Sequence, residues 1–128
     1  MKNILEIYKE YKIMPILMIH QIRVAAVSMQ ICESLNDKDI DQESVVKACL
    51  LHDMGNIIKF DLNHFPEENE PDGIEYWQKV KDEYIFKYGR NEHEATLLIG
   101  EEIGISSRIL ELIDCIDSSV AKKNSGGR

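Results

Sequence analysis

Thiols are scarce in this 128-residue chain: Cys32, Cys49 and Cys115 are the only cysteines, odd in number and widely spaced. No CxxC pair occurs, so neither a thiolate zinc site nor a disulfide framework is indicated, and each thiol is expected to be buried as a small hydrophobe. Long apolar runs are missing too. The longest, Ile13 to Ile19, has seven residues and contains Pro15, against the roughly 20 that a spanning helix needs, so no membrane segment is expected. Lys2, Glu6, Lys9, Glu10 and Lys12 fall where a signal peptide needs uninterrupted apolar residues, which leads to the expectation of a cytoplasmic protein. Positive charge is also short. Fifteen basic against 23 acidic residues leave a formal charge of -8, which argues against broad attraction to a nucleic-acid backbone or an anionic membrane. Any anionic substrate must therefore be attracted locally.

What is present is the composition of an ordinary globular domain. With 44% hydrophobic and 30% charged residues, the chain is neither disordered nor collagen-like nor a coiled-coil array. Its length suits one domain spanning residues 1–128, able to bury a core without a disulfide or zinc staple.

The hydrophobic pattern is helical throughout. From Pro15 to about Leu35, the residues Ile16, Ile19, His20, Val24, Val27, Ile31 and Leu35 recur at helical spacing, with Pro15 acceptable in a first turn. This stripe is expected to face the core. Val45, Val46, Cys49, Leu50, His52 and Asp53 form a second helix, expected to end at Gly55. Residues 61–75 hold two prolines, one glycine, six acids and no lysine or arginine, and read as a loop. Helices are expected over Ile74 to Tyr88, stopped by Gly89, over Glu92 to Ile103, stopped by Gly104, and over Ser106 to Val120. Residues 120–128 read as a flexible polar tail. No stretch alternates as a half-buried strand does, so the fold class is all-α with five or more helices.

Four polar donors are carried toward one interior by this pattern. His20 lies on the first stripe, His52 and Asp53 follow Val45 and Cys49 on the next helix, and His93 shares a face with Thr96, Leu97 and Gly100. An inward aspartate is costly unless it is paired or bound to a cation. Mixed imidazole and carboxylate donors suit a first-row divalent metal, and the absence of thiolates speaks against a structural zinc site. His64, in the acidic loop, is expected in solvent. Gly100, mid-helix, implies a close neighbour on its face.

His20-Gln21-Ile22-Arg23-Val24-Ala25, followed 32 positions on by Leu50-Leu51-His52-Asp53-Met54-Gly55-Asn56-Ile57-Ile58-Lys59-Phe60, resembles the HD-domain metal-dependent phosphohydrolases, especially their HDIG-like branch. His93-Glu94-Ala95-Thr96-Leu97-Leu98-Ile99-Gly100 resembles the helix on which some members place a further histidine. The resemblance covers about residues 16 to 117 and implies an all-α bundle of the phosphodiesterase type. It makes His20, His52 and Asp53 metal ligands, and His93 a second-metal or phosphate-contacting residue. The family's last aspartate falls on Asp114 or Asp117. With Ile109, Ile113, Ile116 and Val120 defining the stripe, Asp117 lies about 60° from its centre and Asp114 about 120°, which favours Asp117. A chain that stops short of that ligand is the alternative.

Arg23, one turn after His20, is a candidate phosphate contact, with an ion pair to an acid as its other reading. Asn56 stands where many relatives carry a lysine or glutamate, and an amide cannot act as a general base. The resemblance implies a divalent cofactor (Mn, Mg, Fe, Co, Ni or Zn), one ion or two, and hydrolysis of a phosphate ester by a metal-activated water. The implied substrate is a nucleotide or another small phosphorylated metabolite, and a homodimer is compatible with it. The alternative is a catalytically silent HD-like domain used for binding or regulation.

Overall fold

The computed structural model describes residues 3–126 apart from Phe65; the side chains of Glu68 and of residues 117–126 lie outside the description. Six α-helices are present among the described residues, and no strand: α1 (Ile4–Glu10), α2 (Pro15–Leu35), α3 (Gln42–Leu51), α4 (Ile74–Tyr88), α5 (Glu92–Ile103) and α6 (Ser107–Gly126). The all-α expectation holds, and α1 is a helix that the apolar periodicity left unread. Two 3-10 turns, Asn56–Lys59 and Pro66–Asn69, lie between α3 and α4.

Short polar side chains and glycines set the helix limits. Asn3, Asp41 and Asn91 each accept a hydrogen bond from the backbone N–H three residues on and so cap α1, α3 and α5. Gly89 stops α4 and Gly104 stops α5, the latter in the left-handed region at φ 84°. Ile105 N–H then bonds back to the Gly100 carbonyl at 3.2 Å. This turn folds Ile105 and Leu110 over Gly100, where an added Cβ would lie 2.9 Å from each. The expected close neighbour at Gly100 is thus the start of α6.

The helix α3 sits at the centre, packed between α2 and α6. Its Ala48 and Leu51 join Tyr8, Met14 and Leu17 on one side and Ile99, Ile109 and Ile113 on the other in one buried cluster. Trp77, Val80 and Tyr84 bring in α4. The acidic loop is stapled by Asn69, which is buried: its side chain donates to the Leu62 carbonyl at 2.8 Å, and its own carbonyl accepts from the Trp77 indole at 3.1 Å.

The expected core stripe of α2 is corrected by the structure. Leu17, Gln21 and Ala25 form the buried face, whereas Ile19, Val27, Ile31 and Leu35 are exposed, together with Ile22 and Met29. The reason is compositional. α2 is apolar nearly all round, so apolar spacing does not select a face, and the buried one is chosen by what a buried glutamine can bond. By length and composition α2 is the one described helix that could cross a membrane. It nevertheless packs along α3 and carries Gln21 and Arg23 midway, and an arginine there is costly in a bilayer. Cys115 is exposed and Cys32 half-buried, so only Cys49 meets the expectation of a buried thiol.

At the C-terminal end of α5, Glu102 ties three helices. Its Oε1 accepts from the Tyr11 hydroxyl at 3.0 Å and the Tyr88 hydroxyl at 2.8 Å, and Lys87 Nζ lies 3.4 Å from Oε2. Burial alone would raise the Glu102 carboxyl, but the bonds from Tyr88, Tyr11 and Lys87 outweigh it and hold the group below its ordinary value. A depressed carboxyl stabilises the fold fully above its unfolded value of 4.5, and that contribution is lost as pH falls through the lower folded value. Urea unfolding of wild type and Glu102→Gln should therefore differ by a constant amount from pH 7 to about 5.5, with the gap closing in more acidic buffer. A gap that is unchanged down to pH 3 contradicts this account.

Candidate metal centre

His20 projects from α2, while His52 and Asp53 follow the last residue of α3. The expected continuation of α3 to Gly55 is not what forms: the helix ends at Leu51, and residues 52–55 make a turn. The cause lies in a redistribution of hydrogen bonds. In a continuing α-helix the Asp53 N–H would bond the Cys49 carbonyl. Instead His52 Nδ1 takes that carbonyl at 2.5 Å, and the Asp53 N–H goes to Gln21 Oε1 on α2 at 3.0 Å. Two residues on, the Gly55 N–H goes to Thr96 Oγ1 on α5 at 3.0 Å.

This turn brings three donors together. Asp53 Oδ2 lies 2.9 Å from His20 Nε2 and 3.0 Å from His52 Nε2, and ligand atoms of all three residues fall within 4.8 Å of one another. The His52 side chain is 9% exposed and the Asp53 side chain 14%, but that of His20 is 52% exposed. His20 is therefore a correction in one respect: it reaches the expected partners from the open side of the site, not from the core, because the face of α2 that is buried centres on Gln21.

A carbonyl oxygen can only accept, so the bond to Cys49 fixes the proton of neutral His52 on Nδ1 and leaves a lone pair on Nε2. Nε2 and a carboxylate oxygen of Asp53 then face each other 3.0 Å apart, a contact that either a shared proton or a metal cation between them satisfies. The donor set accordingly fits a divalent metal: two imidazoles and one carboxylate, with the distal nitrogen of His52 held by a carbonyl as ligating histidines commonly are. Burial alone would raise the Asp53 carboxyl. The hydrogen bond and charge of His52, with the charges of His20 and Lys59, more than reverse this and hold it below the ordinary range.

The other sequence candidates lie outside that group of three or outside the described residues. His93 is not among the donors that converge on Asp53; its Nε2 lies 2.8 Å from Asp114 Oδ1, with the histidine side chain 28% exposed. The acid that the helical phase ranked second is thus the one that meets His93, and the side chain of Asp117 lies outside the described residues. Arg23 and His64 are exposed. Asn56 is buried at the start of the first 3-10 turn. The bonding roles of Gln21 and Thr96 escaped sequence reasoning, although helical spacing places Thr96 on the inward face of its helix. The one available signal was a glutamine immediately after a candidate ligand within an otherwise apolar helix.

Comparison with known proteins gives one finding. The family model described as HD domain matches residues 17–119, most of the chain. No curated protein and no solved structure matches it.

The turn is also held by contact. A Cβ at Gly55 would lie 2.7 Å from the Glu92 carbonyl oxygen and 2.8 Å from the Ala95 Cβ, both on the first turn of α5. Backbone cannot yield as a flexible side chain does, so Gly55→Ala should lower the unfolding free energy by about 1–3 kcal/mol. Urea denaturation measures this, and a loss below about 0.5 kcal/mol would mean that α5 does not press on the turn.

Proposed function

The chain belongs to the HD-domain family, and on that premise we propose that it is a metal-dependent phosphohydrolase acting on a phosphate ester of a nucleotide or another small phosphorylated metabolite. The observation that carries the reading is the single carboxylate oxygen of Asp53 set within 3.0 Å of two imidazole nitrogens. His20, His52 and Asp53 would hold the cation. When bound, a divalent ion acidifies water and neutralises phosphoryl charge, which is the chemistry that phosphate-ester hydrolysis requires.

The rest follows from the chain's own residues. His52 donates its Nδ1 proton to the Cys49 carbonyl, so its Nε2 stays aimed at Asp53. The exposure of His20 leaves one side of the site open to solvent and substrate. Arg23, exposed one turn along α2, is suited to grip a phosphate oxygen with its planar fork. Lys59 adds positive charge near Asp53. These local charges supply the attraction that a chain of net charge -8 lacks at long range. A cytoplasmic location and a small substrate, in preference to a membrane or a nucleic-acid backbone, accompany this reading.

A second reading, a metal-binding domain without turnover, is favoured by the buried Asn56 beside the turn, an amide that cannot act as a general base. One experiment separates the two. Protein stripped with EDTA is titrated with Mn²⁺ by calorimetry, then screened for phosphatase and phosphodiesterase activity with Mn²⁺, Mg²⁺, Co²⁺ and Ni²⁺. Binding with turnover supports the hydrolase, binding without turnover supports the silent domain, and no binding removes both. Asp53→Asn should weaken Mn²⁺ binding by at least about 100-fold, beyond what loss of an outer partner costs, and abolish any hydrolysis. Wild-type hydrolysis in that variant would refute the assignment.

A further inference from the structure

The side chain immediately after His20 is the most completely buried polar side chain among the described residues. Gln21 has no exposed surface, and its Oε1 accepts the backbone N–H of Asp53 at 3.0 Å. Its Nε2 has only the Met54 thioether at 3.9 Å, a weak acceptor, so the amide is oriented chiefly by the bond to Asp53. No other described helix supplies a partner to that N–H. The carbonyl that would otherwise claim it, Cys49 O, is taken by His52 Nδ1.

We propose that Gln21 is the positioning residue for Asp53: it holds the backbone of the carboxylate ligand against α2, so that Asp53 meets His20 instead of turning with a prolonged α3. One residue of α2 offers a ligand, and its neighbour in sequence fixes where the opposing ligand stands. The two are coupled through a single helix, so a shift of α2 carries His20 and the anchor of Asp53 together. Thr96 plays a different part. It receives the Gly55 N–H at the far end of the turn and donates its own hydroxyl to the Glu92 carbonyl, which fixes the turn to α5 and not to the ligand.

The inference rests on the metal-binding reading above, and the experiment tells their failures apart. Mn²⁺ affinity is measured by calorimetry on wild type, Gln21→Met, Gln21→Asn and Thr96→Val, with urea unfolding alongside. Methionine keeps the volume of Gln21 without its acceptor. Asparagine keeps the amide but is one methylene too short to reach, and it serves if the methionine variant does not fold. Either Gln21 variant should lose about 10- to 100-fold in Mn²⁺ affinity, the usual effect of removing a partner that orients a ligand. Thr96→Val should lose stability while staying within about threefold of wild-type affinity, well below that range.

Hydrogen exchange at the Asp53 amide gives a readout that needs no metal. It should be slow in metal-free wild type and markedly faster in the Gln21 variants. Should wild type bind no Mn²⁺ while this exchange pattern holds, the metal reading fails and the anchoring stands. Unchanged Asp53 exchange in the Gln21 variants overturns the proposal, as does wild-type Mn²⁺ affinity in them or an equal loss of affinity in Thr96→Val.

Discussion

One carbonyl oxygen decides the shape of the site. Cys49 O would carry α3 onward by accepting the Asp53 N–H, and the His52 ring takes it at 2.5 Å instead. Two consequences follow together. The helix ends at Leu51, so Asp53 enters a turn from which its carboxylate can face two imidazoles. The freed N–H, in a poorly solvated place, needs another acceptor, and the glutamine on α2 provides it. Ring orientation, helix termination and docking of α2 against α3 are therefore one arrangement of hydrogen bonds.

The sequence was most legible where local chemistry acts alone. Both limits of α4 and of α5 follow from apolar periodicity ended by a glycine, and they match the structure residue for residue. The His20, His52 and Asp53 set was readable because an inward carboxylate beside histidines has few cheap explanations. Illegibility began where a nonlocal bond overrides a local preference. The face of α2 could not be read from a helix that is apolar all round, and the end of α3 could not be placed without knowing that Gln21 and Thr96 wait on other helices. The phase of α6 that ranked Asp117 above Asp114 takes no account of where the first turn of α5 presents His93, which meets Asp114; the side chain of Asp117 lies outside the described residues.

Charge is distributed to the same purpose. Acidic residues dominate the surface, yet at the far end of α5 Glu102 is ringed by Tyr11, Tyr88 and Lys87. Burial and the Glu102 carboxylate push both tyrosine hydroxyls up, so they remain donors throughout the ordinary pH range. That end of the bundle is closed by a satisfied network, whereas the end at His20 is left half open. Solvent has access at one end of α5 and the helices are tied at the other.

The crowding at Gly55 has an evolutionary corollary. Any side chain there would need the Glu92 carbonyl and the Ala95 methyl to retreat, and the same first turn of α5 supplies Thr96 to the Gly55 N–H. A mutational path away from glycine thus carries its cost at the first step, and a change that also displaces α5 relieves it. What position 55 tolerates is therefore set by positions 95 and 96, about 40 residues further along the chain.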